Sequence, residues 1–277
     1  MPELLLKACC EWRKERIMEY KGILYEKKGN VGIVTINRPK VLNAMDTPTV
    51  NEIRHCFQEM QEDKDIRCVI MTGTGKSFCS GGDIYEEEGL SVIGFNYFIA
   101  NGQEFVESME TFKCPVIAAI NGWALGGGLE FALACDFRIA AESAKVGFPE
   151  VLLGVIPGWG GTQRASRLCG PAWARRLVCS GEKITARKAM EIGLVEEVVP
   201  DDKLMEAAMQ LAEKIADNPP IAVEFGKQAV NSGMFLDVHR GMELERGLIC
   251  QLKTTEDNAE GYAAFLEKRP HKPFQGK

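Results

Sequence analysis

The residues of this chain best suited to chemistry are two glutamates. Glu130 ends the run Gly126-Gly127-Gly128-Leu129-Glu130, and Glu150 ends Val146-Gly147-Phe148-Pro149-Glu150, twenty residues further on. Two carboxylates can divide the work of taking a proton from water and delivering one to carbon. Beside glycines that expose backbone N–H groups, they can do so next to a carbonyl oxygen that takes up negative charge. Each also has a plainer role open to it. Glu130 falls near the third position of a helix beginning in the glycines, where a glutamate caps backbone and suits the dipole. With Leu133 and Ala134 on its helix face, it can equally sit in an apolar setting that raises its pKa. Glu150, between Pro149 and Val151-Leu152-Leu153, can simply open a surface helix.

Two glycine loops accompany the pair. Asn121-Gly122-Trp123-Ala124-Leu125-Gly126-Gly127-Gly128 lies between an apolar strand and a helix, where exposed N–H groups and the helix dipole favour negative charge; close helix-to-strand packing uses glycine there as well. Thr72-Gly73-Thr74-Gly75-Lys76-Ser77 ends like a phosphate loop, but position 70, where that motif needs glycine, is a strand isoleucine, which excludes nucleotide hydrolysis. The same loop runs on to Ser80-Gly81-Gly82-Asp83-Ile84, where paired glycines serve a tight turn or close approach to a ligand.

Short apolar strands and helices must place these loops. Ile23 to Lys27 and Val31 to Ile36 read as a hairpin around Lys28-Gly29-Asn30. Asp46-Thr47-Pro48 starts a helix whose core face is Val50, Ile53, Phe57 and Met60. Cys68 to Met71 and Pro115 to Ile120 read as buried strands, Phe95 to Phe112 and Leu129 to Cys135 as helices, and Phe137 to Ala140 as a further strand. From Thr162 the pattern is helical, interrupted at Leu194 to Val199, with helices starting near Pro171, Thr185, Asp201, Pro220 and Phe235. The alternation predicts an α/β layered core with both sheet faces covered, and a helical C-terminal region from a boundary near Pro200.

Composition narrows the class. The 277 residues are 45% hydrophobic and 26% charged, which suits a globular protein with a full core. A net charge of −6 argues against a nucleic-acid surface. The ten cysteines, scattered singly apart from Cys9-Cys10 and including Cys68, Cys114, Cys135 and Cys250, read as buried reduced thiols. No Cys-x-x-Cys occurs, and His55, His239 and His271 are far apart, so neither a metal site nor a histidine triad is expected. Leu4-Leu5-Leu6 is too short for a signal peptide, and no apolar run approaches a membrane span. A cytoplasmic protein is expected, with Met18 an alternative start.

Taken together, Asn121 to Asp136, Phe148-Pro149-Glu150 and Ile156-Pro157-Gly158-Trp159-Gly160-Gly161-Thr162-Gln163-Arg164 closely resemble the enoyl-CoA hydratase, or crotonase, family. Asn37-Arg38-Pro39-Lys40-Val41-Leu42-Asn43-Ala44 and Ser80 to Ile84 match too, so the likeness runs from about Gly22 to the C-terminus.

The resemblance implies a crotonase-like spiral of ββα units with a helical C-terminal region. The chain would divide into an N-terminal extension (1–21), a core (22–200) and a helical region (201–277) serving oligomerisation and active-site cover. Homotrimers, or dimers of trimers, are implied. The N–H groups of Gly82 and Gly127 would form the oxyanion hole for a thioester oxygen. Lys40, Val41 and Leu42, with Asp83, Ile84 and Tyr85, would contact CoA. Glu130 and Glu150 would hold the water, Glu130 activating it and Glu150 giving a proton to C2. The implied reaction is reversible hydration of a 2-enoyl-CoA to a 3-hydroxyacyl-CoA, as in β-oxidation, with no cofactor beyond the CoA of the substrate.

The alternatives are a Δ3,Δ2-enoyl-CoA isomerase or another crotonase-type acyl-CoA enzyme, a non-catalytic acyl-CoA- or RNA-binding member, and a two-carboxylate glycosidase. Gly82 stands where many hydratases have alanine, and Gln275 where lysine is frequent. Leu90 to Phe98 and Trp159 are candidates for an acyl pocket, or for an apolar helix face and a core tryptophan.

Overall fold

A computed structural model describes residues 20–277. The expectations placed on Leu4-Leu5-Leu6, Cys9-Cys10 and Met18, and all but the last two residues of the 1–21 extension, lie outside the described residues. Six strands form the main sheet in the order β1-β2-β3-β5-β7-β10, comprising β1 (Ile23–Lys28), β2 (Val31–Ile36), β3 (Cys68–Gly73), β5 (Val116–Ile120), β7 (Phe137–Ala141) and β10 (Glu197–Val199). Only the β1–β2 hairpin is antiparallel. β5 is buried at every residue and β3 at all but its last, as parallel strands covered on both faces must be.

The short second strands of the ββα units that the resemblance implies form a second sheet, although residue patterns alone do not show it. β4 (Ser77–Cys79), β6 (Trp123–Leu125), β8 (Lys145–Gly147) and β9 (Lys183–Thr185) lie side by side, the first three parallel. Three times over, a long strand of the main sheet is followed by a short strand of the small one. Gly82 follows β4, Gly127 follows β6 and Glu150 follows β8. The three loops therefore leave the same ends of neighbouring parallel strands, the usual place for a ligand in such sheets.

Helix α1 (Thr47–Glu62) starts where expected, with the Asp46 side chain accepting from Thr49 N at 2.9 Å. Helix α2 (Ile84–Glu88) is one turn capped by Asp83. Helix α3 (Val92–Glu110) begins three residues before the expected Phe95, because Ser91 caps it through Gly94 N at 3.2 Å. Helix α4 (Gly127–Ala134) is buried throughout. Then come α5 (Gly161–Leu168), α6 (Gly170–Ser180), α7 (Ala186–Glu191), α8 (Leu204–Ala216), α9 (Pro220–Gly233), α10 (Val238–Leu252) and α11 (Glu256–Glu267).

Helix α8, beyond the boundary expected near residue 200, lies against β2, β3, β5 and β7. Its buried stripe, Leu204, Ala208, Ala212 and Ala216, keeps four-residue spacing, and its three alanines permit a close approach to the sheet.

Cys56, Cys68, Cys79, Cys114 and Cys135 are buried free thiols, whereas Cys250, expected inside, faces solvent on α10. Among the described residues no helix is long and apolar enough to cross a membrane, and no group of three metal-ligating side chains occurs.

One ion pair ties α9 to the sheet. Lys227 Nζ donates to Asp136 Oδ2 at 2.8 Å and to the carbonyls of Met109 and Cys114 at 3.1 and 3.2 Å. Asp136 also accepts from Val116 N at 2.7 Å. Burial pushes the Asp136 carboxyl above its ordinary value, and Lys227 opposes that shift. Removing one partner of so buried a pair strands the other charge. Lys227→Met is expected to lower the unfolding free energy by about 3–5 kcal/mol in urea titration, and adding Asp136→Asn to restore part of it. An unchanged midpoint in the single variant would contradict this role.

Candidate active site

The two glycine loops meet. A Cβ built on Gly127 would lie 3.3 Å from Gly82 N, and one on Gly81 would lie 3.4 Å from Gly127 N. Neither the Gly82 nor the Gly127 N–H donates to another described residue. Gly127 opens α4, where the first N–H groups have no partner within the helix. Gly82 is held by a bridge to Met45, through Met45 N to Gly81 O at 2.9 Å and Asp83 N to Met45 O at 3.0 Å, which leaves its own N–H unused.

Glu130, on the buried helix α4, is 2% exposed. It does not cap its own helix, whose N-terminal Gly126 has no side-chain partner. Instead its Oε1 accepts from Trp159 N at 2.8 Å and Gly161 N at 2.6 Å, at the start of α5. Desolvation raises its pKa to about 7, against the lowering effect of those N–H donors and of Arg164. The donor turn is itself braced. Arg164 donates to Trp159 O at 2.9 Å and clasps Glu110 of α3 at 2.7 and 2.8 Å, while Gln103 Nε2 donates to Gly158 O at 2.8 Å. The Trp159 indole fills a notch on α3, where a Cβ on Gly102 would come within 2.0 Å of Nε1.

Glu150 sits in a 3-10 turn, Pro149–Leu153. Both its carboxylate oxygens are buried without a hydrogen-bond partner among the described residues. A Cβ on Gly126 would lie 3.0 Å from Glu150 Oε1, so the carboxylate stands beside the glycine loop. Desolvation, with Glu130 and Glu87 adding repulsion, raises its pKa to about 7. Two carboxyl groups with raised proton affinity at one site suit acid–base work near neutral pH.

The remaining expected residues form a rim. Lys40, Val41 and Leu42 are exposed at a 3-10 turn, Pro39–Val41, and Ser80 N bonds Leu42 O at 3.2 Å, which brings that turn against the Gly82 loop. Ile84 and Tyr85 are exposed. The Asp83 carboxylate is already engaged, accepting from Tyr85 N at 3.2 Å and pairing with Arg38 at 3.2 Å. Phe98 and Trp159 are buried with ring centroids 5.8 Å apart, whereas Val92, Ile93 and Tyr97 face solvent.

The loop that resembled a phosphate cradle is a braced turn. Asn43 Nδ2 donates to Thr74 O and Ser77 O at 2.9 and 2.6 Å, and Asn121 Nδ2 to Gly75 O at 3.1 Å.

Trp159, Gly161, Arg164, Glu110 and Glu87 also belong to the site, in roles that the sequence does not show. The N–H donors of Trp159 and Gly161 belong to the backbone and carry no side-chain signal. Arg164 and Glu110 are 54 residues apart and meet only in the fold. Glu87 lies beside Gly82, where an added Cβ would come within 2.2 Å of its Oε1; in the run Glu86-Glu87-Glu88 it looks like part of a solvated face.

The enoyl-CoA hydratase/isomerase family profile matches residues 26–277. A short-chain-enoyl-CoA hydratase of Clostridium acetobutylicum is 42% identical over 261 residues, covering 94% of this chain and 100% of the relative. A crotonyl-CoA hydratase of Syntrophomonas wolfei is 43% identical over 253 residues, covering 91% and 97%. The crystal structure of an enoyl-CoA hydratase from Bacillus anthracis superposes with a TM-score of 0.90 at 41% identity, covering 93% of this chain and 100% of that one. With the family profile matched over nearly the whole chain and the fold shared with a solved hydratase, the chain belongs to the enoyl-CoA hydratase/isomerase, or crotonase, family.

Proposed function

We propose that this chain is a short-chain enoyl-CoA hydratase, adding water reversibly across the 2,3 double bond of a 2-enoyl-CoA such as crotonyl-CoA. The observation that carries the proposal is the meeting of two unused backbone N–H groups, on Gly82 and Gly127, with two desolvated carboxyl groups, on Glu130 and Glu150. The names of the Clostridium and Syntrophomonas relatives support the same activity and a short acyl chain.

In the mechanism we propose, the thioester oxygen accepts from Gly82 N–H and Gly127 N–H. Water adds at C3, and charge moves to that oxygen, where each donor contributes on the order of 3 kcal/mol. Glu130 takes the proton from water. Its Oε1 is held by two N–H donors and lies near Arg164, all of which favour its ionised form. Glu150 has no donor and sits beside other carboxylates, so the shared proton rests there, ready for C2. The proton then passes from Glu130 back to Glu150 through the pair. No cofactor enters these steps, since CoA is part of the substrate.

Lys40, Val41, Leu42, Ile84 and Tyr85 are the rim we assign to CoA, with Asp83 ordering that rim through Arg38 and Tyr85 N. Cytoplasmic acyl-chain breakdown of the β-oxidation type is the setting we propose. We also propose a homotrimer or a dimer of trimers, the assembly that the family resemblance implies; the C-terminal region supports association by leaving Val230, Phe235, Val238, Ile249, Phe265 and Leu266 largely exposed.

Crotonyl-CoA should be hydrated, seen as loss of the conjugated-thioester absorbance, with a bell-shaped kcat/KM profile centred near neutral pH. The acid limb reports protonation of Glu130 and the alkaline limb loss of the Glu150 proton. Double-bond migration in a 3-enoyl-CoA with no hydration would favour an isomerase instead.

Glu130→Gln and Glu150→Gln should each cost about 10²–10⁴ in turnover, and the double variant far less than the product. The side-chain amide introduced by Glu130→Gln keeps an oxygen for the Trp159 and Gly161 donors, so stability should barely change; a variant that melts early yet turns over normally would make Glu130 structural only. Sedimentation should give a mass of three or six chains, and a stable monomer would contradict the assembly.

A further inference from the structure

We infer that Glu87 is a third carboxyl group of the reaction centre, and that its charge controls how much negative charge the Gly82–Gly127 donor pair can hold. This rests on the oxyanion role proposed for Gly82. The geometry is specific. Glu87 Oε1 occupies the space where a Cβ on Gly82 would lie, 2.2 Å from it, next to the Phe98 ring, whose Cζ is 3.3 Å from the same point.

No cation and no hydrogen-bond donor meets the Glu87 carboxylate among the described residues. Glu86, its neighbour, is bound to Thr47 N and Oγ1 at 2.8 and 2.5 Å. Arg38 is shared between Asp46 and Asp83 at 2.8 and 3.2 Å, and no ion pair joins it or Lys40 to Glu87. The charged groups that bear on Glu87 are Asp83 and Glu86 on its own turn, and Glu150 from the 3-10 turn across the site. All are acidic. Half-burial most of all, then Asp83 and Glu86, pushes its pKa up.

An oxygen bonded to Gly82 N–H lies within roughly 8 Å of Glu87 Oε1, given the short path through one glycine. At an effective dielectric near 20, a negative charge at that distance slows the build-up of charge on the oxygen by about thirtyfold. Protonated Glu87 exerts no such opposition. An ionised Glu87 also raises the proton affinity of Glu150, so its two effects are separable: it keeps the donor protonated and penalises the enolate.

In the native enzyme the penalty is absent while Glu87 is protonated and grows as pH rises through its ionisation. The amide of Glu87→Gln cannot ionise. The ratio of kcat/KM for Glu87→Gln to that of the native enzyme, with crotonyl-CoA, should therefore climb with pH from the acid limb to the top of the bell, by about thirtyfold. Loss of the Glu87 charge also lets Glu150 release its proton at lower pH, so the alkaline limb of the variant should move down and the ratio should turn over there.

Glu87→Leu, equally uncharged, should give the same rising ratio, which guards against a fault peculiar to glutamine. An active native enzyme with a ratio that stays flat or falls between the acid limb and the top of the bell would overturn this inference alone. No hydration by the native enzyme at any pH would overturn the hydratase proposal, and this inference with it.

Discussion

The structure around the site depends on one interaction, the pair of backbone hydrogen bonds from Trp159 and Gly161 to Glu130 Oε1. Helix α4 is buried along its whole length, so a glutamate there would be a destabilising, unpaired group without them. With them, one carboxylate oxygen is fixed while the carboxyl group as a whole stays desolvated. The same bonds join α4 to the start of α5. That junction is secured from a third direction by α3, through the Arg164–Glu110 clasp, Gln103 and the Gly102 notch that receives Trp159. A glycine in the middle of a helix weakens it by about 1 kcal/mol relative to alanine. Here it leaves the space that the indole needs.

The repeated pairing of a long strand with a short one explains how residues far apart in sequence converge. β4, β6 and β8 are parallel neighbours, so the chain leaves each in the same direction. Gly82, Gly127 and Glu150 sit just past their ends. The convergence needs no long flexible loop. Asn43 and Asn121, whose side chains bond the Gly73–Ser77 turn, fix how the chain crosses from β3 into β4. Two left-handed residues, Leu42 and Asn43, are tolerated beside that crossing because Asn43 is buried and well bonded.

Much of this was legible from residue patterns. Val31 to Ile36 is strand to the residue, because five of its six residues are β-branched and a Gly-Asn turn precedes it. The Asp46 cap and the face Val50, Ile53, Phe57 and Met60 fixed α1. The small sheet was not legible, since three-residue strands such as Trp123–Leu125 are too short to show a period of two, and their stability comes from neighbours distant in sequence. Helix α3 starts before its apolar face does, because its first turn, Val92, Ile93 and Gly94, adds nothing to the buried face and only the Ser91 cap marks it. Cys250 faces solvent because α10 is an outer helix, which composition cannot tell. At the site, Gly82, Gly127, Glu130 and Glu150 could be named from sequence and lie together. The groups that hold and modulate them, namely two backbone N–H donors, the Arg164 clasp and Glu87, acquire their roles only in the fold.

Hydration is attributed to two carboxyl groups that act on a water beside a thioester whose oxygen is held by two backbone donors. The most direct measurement is a crystal structure of the Glu150→Gln protein with crotonyl-CoA bound. The thioester oxygen should then lie about 3 Å from both Gly82 N and Gly127 N, with a water on Glu130 Oε2 facing C3. A thioester oxygen bound elsewhere, with both N–H groups still unused, would contradict that assignment.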